Sequence, residues 1–215
     1  MSFSISKKYK NTDWLNLKLT NDKSSGWDLG ISIIDDRFNS RFFNYIDLIK
    51  NDEFSGFLVM SIDCLLIETL MQFYFGVQNT EIKYRHNHWK AFRDFFKNSE
   101  NFNKDFKTNN ICKTFYVHFR CGLLHQAQTK QKSLIKKDQP NFLTFIDQEN
   151  VYSGLIIDRA QFHEKLFQEF NGYLERLKNN ESNFKGENLR LNAIIKMNNI
   201  CSEEITDRKS FENNK

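Results

Sequence analysis

Arg120 and His125 lie with four residues between them in FYVHFRCGLLHQAQ, residues 115–128. An arginine guanidinium grips phosphate bidentately and stays charged at any cellular pH. A histidine takes or gives a proton near neutrality. Together they form the smallest set able to cleave an RNA backbone without a metal. The spacing alone is permissive. Five positions along an ideal helix amount to a rotation of about 140°, so the two side chains diverge unless the helix ends or bends between them, or a second subunit brings its own pair. Gly122 lies between them and weakens the helix there. The structural alternative is that Arg120 pairs with a core carboxylate and His125 is a satisfied interface histidine.

Other side chains bear on that pair. Asp63 and Glu68 lie inside the most apolar segment of the chain, where a lone carboxylate is costly unless paired. Glu68 is the expected partner of Arg120, and Ser61, Glu68 and Gln72 form a polar seam at helical spacing. His118, Cys121 and His125 fall at i, i+3 and i+7, a spacing that offers three zinc ligands. No fourth ligand is evident nearby, and no metal or other cofactor is expected. The string His86-Asn87-His88 reads as a solvated turn, since the strand context of a metal-dependent nuclease is absent. His163 faces away from the apolar stripe beside it. Lys130 and Lys132, with Lys136 and Lys137, follow the motif and are candidates for holding RNA phosphates; a solvated loop rich in lysine is the alternative. No alternation of aromatic and basic residues suggests a base-stacking platform.

The R-x4-H spacing late in an apolar helix resembles the ribonuclease motif of HEPN domains. The longer strings HFRCGLLHQ and GFLVMSIDCLLIETLMQFYFG, residues 56–76, are similar to a group of bacterial HEPN-like proteins. The resemblance implies a helical domain, a metal-independent endoribonuclease with Arg120 and His125 as catalytic residues, and a defence or toxin setting. It also implies a non-catalytic alternative, a module that binds nucleotide or a partner protein. Active members carry a polar residue directly after the arginine; here that residue is Cys121, which shifts weight towards the alternative. Glu68, His118 and Cys121 are the expected supporting residues.

The 215 residues, 40% hydrophobic and with 22 Phe, suffice for one domain with a sizeable aromatic core. A net charge of +4 permits an RNA partner without requiring one. The four cysteines are scattered with no C-x-x-C pair, as expected for free thiols in a reducing compartment. The start MSFSISKKYK is polar, and the apolar segment is interrupted by Asp63 and Glu68. No membrane span is expected, and a cytoplasmic location is.

The elements that must position these residues read as mainly α. Residues 1–25 form a polar N-terminal segment with one short amphipathic piece. A helical stripe covers residues 27–50, broken near Asn44. Residues 56–74 are apolar almost all round and read as a central buried helix. Trp89, Phe92, Phe95 and Phe96 mark a shorter helix. Ile111, Phe115, Phe119 and Leu123 are the core stripe of the motif helix. Short β-branched pieces near residues 133–158 read as a small antiparallel β insert. Asp158 and Gln161 open a helix with Phe162, Leu166, Phe170, Tyr173 and Leu177 on one face. A last helix covers residues 188–205. The expected architecture is one HEPN-like helical bundle over residues 26–206 with a frayed tail at 207–215. The motif helix carries more apolar surface than one face can bury, so a homodimer is expected.

Overall fold

Apolar residues at helical spacing dominate, and the chain folds as mainly α with one small sheet. The computed structural model describes residues 2–22, 25–148 and 151–202. The helices are α1 (Asn11–Asn16), α2 (Trp27–Phe38), α3 (Asn44–Ile49), α4 (Gly56–Phe75), α5 (Thr80–Tyr84), α6 (Trp89–Asn98), α7 (Asn109–Phe115), α8 (Cys121–Gln126), α9 (Arg159–Lys178) and α10 (Leu189–Cys201). Single π-helical turns join α2 to α3 at Asn39–Phe43 and α7 to α8 at Tyr116–Arg120. The helical run from Trp27 to Ile49 is continuous through the first of these, without the break expected near Asn44. The tail at 207–215 and the last residues of the expected final helix lie outside the described residues.

The chain divides into two compact units. The first comprises the described parts of Met1–Tyr45, Thr69–Arg85 and Asn171–Lys215. Its core joins Phe38 of α2, Phe73 of α4 and Tyr173 of α9 through edge-on ring contacts at 5.5 and 6.1 Å. Residues 2–22, placed outside the helical domain by their polarity, contribute buried Ile5 and Trp14. The Trp14 indole donates to Asn198 on α10 at 2.9 Å. Lys196 is buried in this unit and donates to Gln72 Oε1 at 2.6 Å and to the Gln78 carbonyl at 2.8 Å. Burial, with the nearby Arg37 charge, lowers its ammonium to about 8.

The second unit comprises Ile46–Glu68 and His86–Phe170. Its core is a stack of phenylalanines. Phe96 lies flat on Phe106 at 3.7 Å, and Phe115 stacks on Phe119 at 5.2 Å and on Phe162 at 5.3 Å. Each such pair adds about 0.5–1.5 kcal/mol beyond the area it buries. The stack ties α6, α7 and α9 together.

The β insert comprises β1 (Leu134–Lys136), β2 (Leu143–Gln148) and β3 (Val151–Asp158), in the order β1-β3-β2. It stands where the sequence places it, and β2 and β3 pair antiparallel. The sheet is mixed and not purely antiparallel, because β1 joins the other edge of β3 in parallel. The loop after β1, which holds Pro140, sets β2 two strand spacings away, about 10 Å, and β3 returns through the gap. Gly154 makes this possible, since a Cβ there would meet the Ser133 backbone nitrogen at 2.9 Å. Asp158 then starts α9: its Oδ1 accepts the Gln161 N–H at 2.9 Å. The Gln161 side chain donates to the Gln139 carbonyl instead of closing a capping box.

Among the described residues, one helix, α4, has the length and composition to cross a membrane. Of its most apolar stretch 56% is buried within the protein, and its two carboxylates are paired, so it is a core helix. Glu68 pairs with Arg120. Asp63 meets His163 of α9, with Oδ1 and Nδ1 2.7 Å apart and both side chains almost fully buried. His163 therefore faces the core, contrary to the sequence expectation. The partner that turns it inward is an acid 100 residues earlier, beyond any helical periodicity. Asp63 Oδ2 is buried without a hydrogen bond among the described residues. Burial raises the Asp63 carboxyl above the usual carboxylate range, against the lowering effect of His163.

A raised acid favours the folded state fully below its unfolded pKa of about 3.9, and that contribution is lost as pH rises through the folded value. Asp63→Asn is accordingly expected to flatten the loss of stability with rising pH above 4 in urea unfolding. His163→Leu, which removes the hydrogen-bond partner of Asp63 Oδ1 among the described residues, is expected to lower the unfolding free energy by about 3–5 kcal/mol. A pH dependence identical to wild type in Asp63→Asn would show that the carboxyl does not titrate with folding.

Candidate active site

The motif helix is built from its apolar stripe. Ile111, Phe115, Phe119 and Leu123 recur every four residues and all are buried. In a regular α-helix each such step drifts by about 40°, so four in a row would leave the core. The π turn at Tyr116–Arg120 widens the helix locally and keeps the stripe on one face. The Thr108 hydroxyl caps the start by accepting the Ile111 N–H at 3.3 Å. The end comes at Ala127, which adopts a left-handed conformation (φ 51°).

From Ala127 the chain doubles back over its own helix. The Lys130 N–H donates to the His118 carbonyl at 3.0 Å. The returning strand of chain crosses directly over Gly122, where a Cβ would lie 2.5 Å from the Gln128 carbonyl oxygen. Gly122 therefore does not loosen the helix, which runs on through Gln126. It provides the space for residues 128–130.

Arg120 ends the π turn and reaches α4. Its Nε donates to Glu68 Oε1 at 2.6 Å, and the two side chains are 21% and 17% exposed. Its guanidinium carbon stands 5.6 Å from the centre of the Tyr116 ring, within range of a cation–π attraction. Among the described residues no hydrogen bond engages its two Nη atoms. Burial lowers the Arg120 pKa, but the Glu68 hydrogen bond and charge outweigh it and hold the guanidinium above its ordinary value. Burial, and then the neighbouring Cys121 side chain, push Tyr116 up to about 12. Cys121 is half-buried. Cys64, one turn before Glu68, is fully buried, and desolvation lifts its thiol well above the usual range.

His125 stands exposed on the last turn of α8. Among the described residues no hydrogen bond or ion pair joins it to Arg120, and the intervening turn is regular α-helix, so the pair stays about 140° apart within one chain. His118 points the other way. It is buried, with Nδ1 2.9 Å from Ser133 Oγ, and Ser133 Oγ also accepts the Leu155 N–H at 3.0 Å. Burial, and then the Lys130 charge, lower the His118 pKa, and the ring ties the motif helix to the β insert through Ser133. His118, Cys121 and His125 thus do not converge. No group of three or more His, Cys, Asp or Glu among the described residues is placed to hold a metal ion. Lys130 is half-buried over Gly122 and Lys132 is exposed in the loop beyond.

Sequence reasoning missed Tyr116 and Ser133. Tyr116 lies one turn before Arg120, a spacing that is legible. Ser133 carries no signal, because its role depends on the chain reversal over Gly122. The chain matches no protein-family model, no curated protein and no solved structure.

Glu68→Ala would leave a half-buried guanidinium without its carboxylate. A hydrogen bond to a charged group contributes about 1.5–3 kcal/mol, so urea unfolding of this variant is expected to show a loss in that range, and Glu68→Gln a smaller one. Unfolding indistinguishable from wild type would remove Glu68 as the group that holds Arg120.

Proposed function

We propose that this chain is a metal-independent endoribonuclease of the HEPN type, acting as a cytoplasmic homodimer, in keeping with a defence or toxin role. The observation that carries the reading is the state of Arg120. Glu68 and Tyr116 fix its position through Nε and the ring face, and both Nη atoms are left to take a phosphate. Preorganised charge aimed at a developing oxyanion is the largest single contribution in many enzymes. His125, exposed nearby, is the base. It withdraws the proton of a ribose 2′-OH, the 2′-oxygen forms a bond to the adjacent phosphorus, and the bond from phosphorus to the 5′-oxygen breaks. The leaving oxygen takes a proton, and the products are a 2′,3′-cyclic phosphate and a 5′-OH. Lys130 and Lys132 hold flanking phosphates.

The proposed dimer is motivated by the divergence of Arg120 and His125 within one chain. A second copy supplies what one helix cannot bring together. Leu65 of α4, three residues before Glu68, and Leu124 of α8, four residues after Arg120, are exposed apolar residues, and they form the proposed interface. One observation favours the rival reading, a module that binds nucleotide or a partner protein: the residue directly after Arg120 is Cys121, a weak hydrogen-bonding group.

His125→Ala is expected to slow RNA cleavage by about 10²–10³-fold with the fold intact, and Arg120→Lys, which keeps a cation against Glu68 but loses the bidentate fork, by a similar factor. Cleavage persists in EDTA and fails on 2′-O-methyl RNA and on DNA, which lack the attacking hydroxyl. Wild type that binds nucleotide tightly yet cuts no RNA would establish the rival.

Light scattering at micromolar concentration is expected to give twice the 25.7 kDa monomer mass. Leu65→Asp with Leu124→Asp reduces it to the monomer and abolishes cleavage. A wild-type monomer that still cleaves RNA would refute the shared site.

A further inference from the structure

Two large apolar side chains between the end of α3 and the start of α4 stand almost wholly in water: Leu48, on the last turn of α3, is 81% exposed, and Phe54, in the loop between the two helices, 89% exposed. Phe57 and Leu58, on the first turn of α4, extend the same apolar run and are also exposed. Exposed aliphatic and aromatic residues occurring singly need no explanation, but a run of them marks an interaction surface.

The loop is held in shape. Arg159, nearly buried at the start of α9, donates from Nε to the Lys50 carbonyl at 2.9 Å and from Nη2 to the Asp52 carbonyl. The Asp52 side chain accepts the Phe54 N–H at 3.0 Å, and the Ser55 hydroxyl donates to the Asp52 carbonyl at 3.0 Å. A buried guanidinium bonded to two loop carbonyls fixes the loop without adding a charge to its surface. Phe54 is thus presented in a preset position, and preorganisation of this kind lowers the ordering cost of association.

The surroundings are acidic. Asp52 and Glu53 are exposed on the loop itself. Lys50 is shared between Asp47 at 2.7 Å and Glu164 at 3.6 Å, so carboxylates outnumber the ammonium. The apolar run reaches α4 at its first turn, about 15–18 Å along the helix axis from Glu68. It is therefore separate from the Arg120 site and independent of the function proposed for that site.

We propose that this loop and the first turn of α4 are a docking surface for a basic amphipathic helix of a partner protein. The partner's apolar face covers Phe54, Leu48 and Leu58, and its lysines or arginines meet Asp52 and Glu53. Charge complementarity selects this occupant. An anionic lipid surface would be repelled by the same carboxylates, and a second copy would bring like charge against like.

The probe is a labelled amphipathic helical peptide of lysine and leucine, titrated into the full chain and followed by fluorescence anisotropy. The control is the same peptide with glutamate for lysine. Saturable binding of the lysine peptide is expected, weakened by salt, with the glutamate peptide at least about tenfold weaker. The exposed double variant Leu48→Ser/Phe54→Ser is expected to weaken it about tenfold or more, and Asp52→Asn/Glu53→Gln to remove most of its salt dependence. Circular dichroism melts confirm that both variants fold. Absence of binding, equal binding of the two peptides, or binding unchanged in Leu48→Ser/Phe54→Ser overturns the proposal. So does either alternative occupant: self-association lost in that variant, or cosedimentation with phosphatidylcholine–phosphatidylglycerol vesicles lost in it.

Discussion

Asp63 and Glu68 stand on the same apolar helix, and neither can be left alone there. An unpaired carboxylate away from water costs several kcal/mol, so each must be met by a cation, a donor or a proton. Asp63 is met by His163 of α9, and Glu68 by Arg120 of the motif helix. These two contacts tell α4 which side chains it must face in its unit. The phenylalanine stack supplies most of the burial, but aromatic packing tolerates rearrangement. The two polar contacts do not, and they specify the arrangement.

The motif helix meets that demand through an irregularity. A stripe repeating every four residues cannot stay on one face of an α-helix, and the π turn resolves the mismatch. The turn ends at Arg120, so the same distortion that keeps Phe115 and Phe119 in the core delivers the guanidinium to Glu68. Gly122 then lets the chain reverse over the helix, which places Ser133 beside His118 and starts the β insert. Core packing, the position of Arg120 and the origin of the sheet are linked within about fifteen residues of chain.

The chemistry follows from what this arrangement leaves unsatisfied. Glu68 takes one edge of Arg120 and Tyr116 its face, so the guanidinium is oriented and its Nη atoms remain available. His125 stands on a different side of the helix and is open to solvent. The proposed nuclease reading assigns phosphate binding to Arg120 and proton transfer to His125, with a second copy bringing the complementary pair.

The sequence alone determined the helical character, the aromatic core and the position of the β insert. These rest on local periodicity and composition, which hold whatever lies opposite. The pairing of Glu68 with Arg120 was also legible, because a carboxylate in an apolar helix demands a cation and the chain offers few inside apolar segments. Tertiary structure decided the rest. His163 turns inward because Asp63 lies opposite it, 100 residues away. His118 leaves the motif because Ser133 returns over Gly122. β1 pairs in parallel because β3 enters between it and β2. Each of these depends on which distant group fills a given space, and that is set by packing and desolvation across the fold, not by any neighbour in the chain.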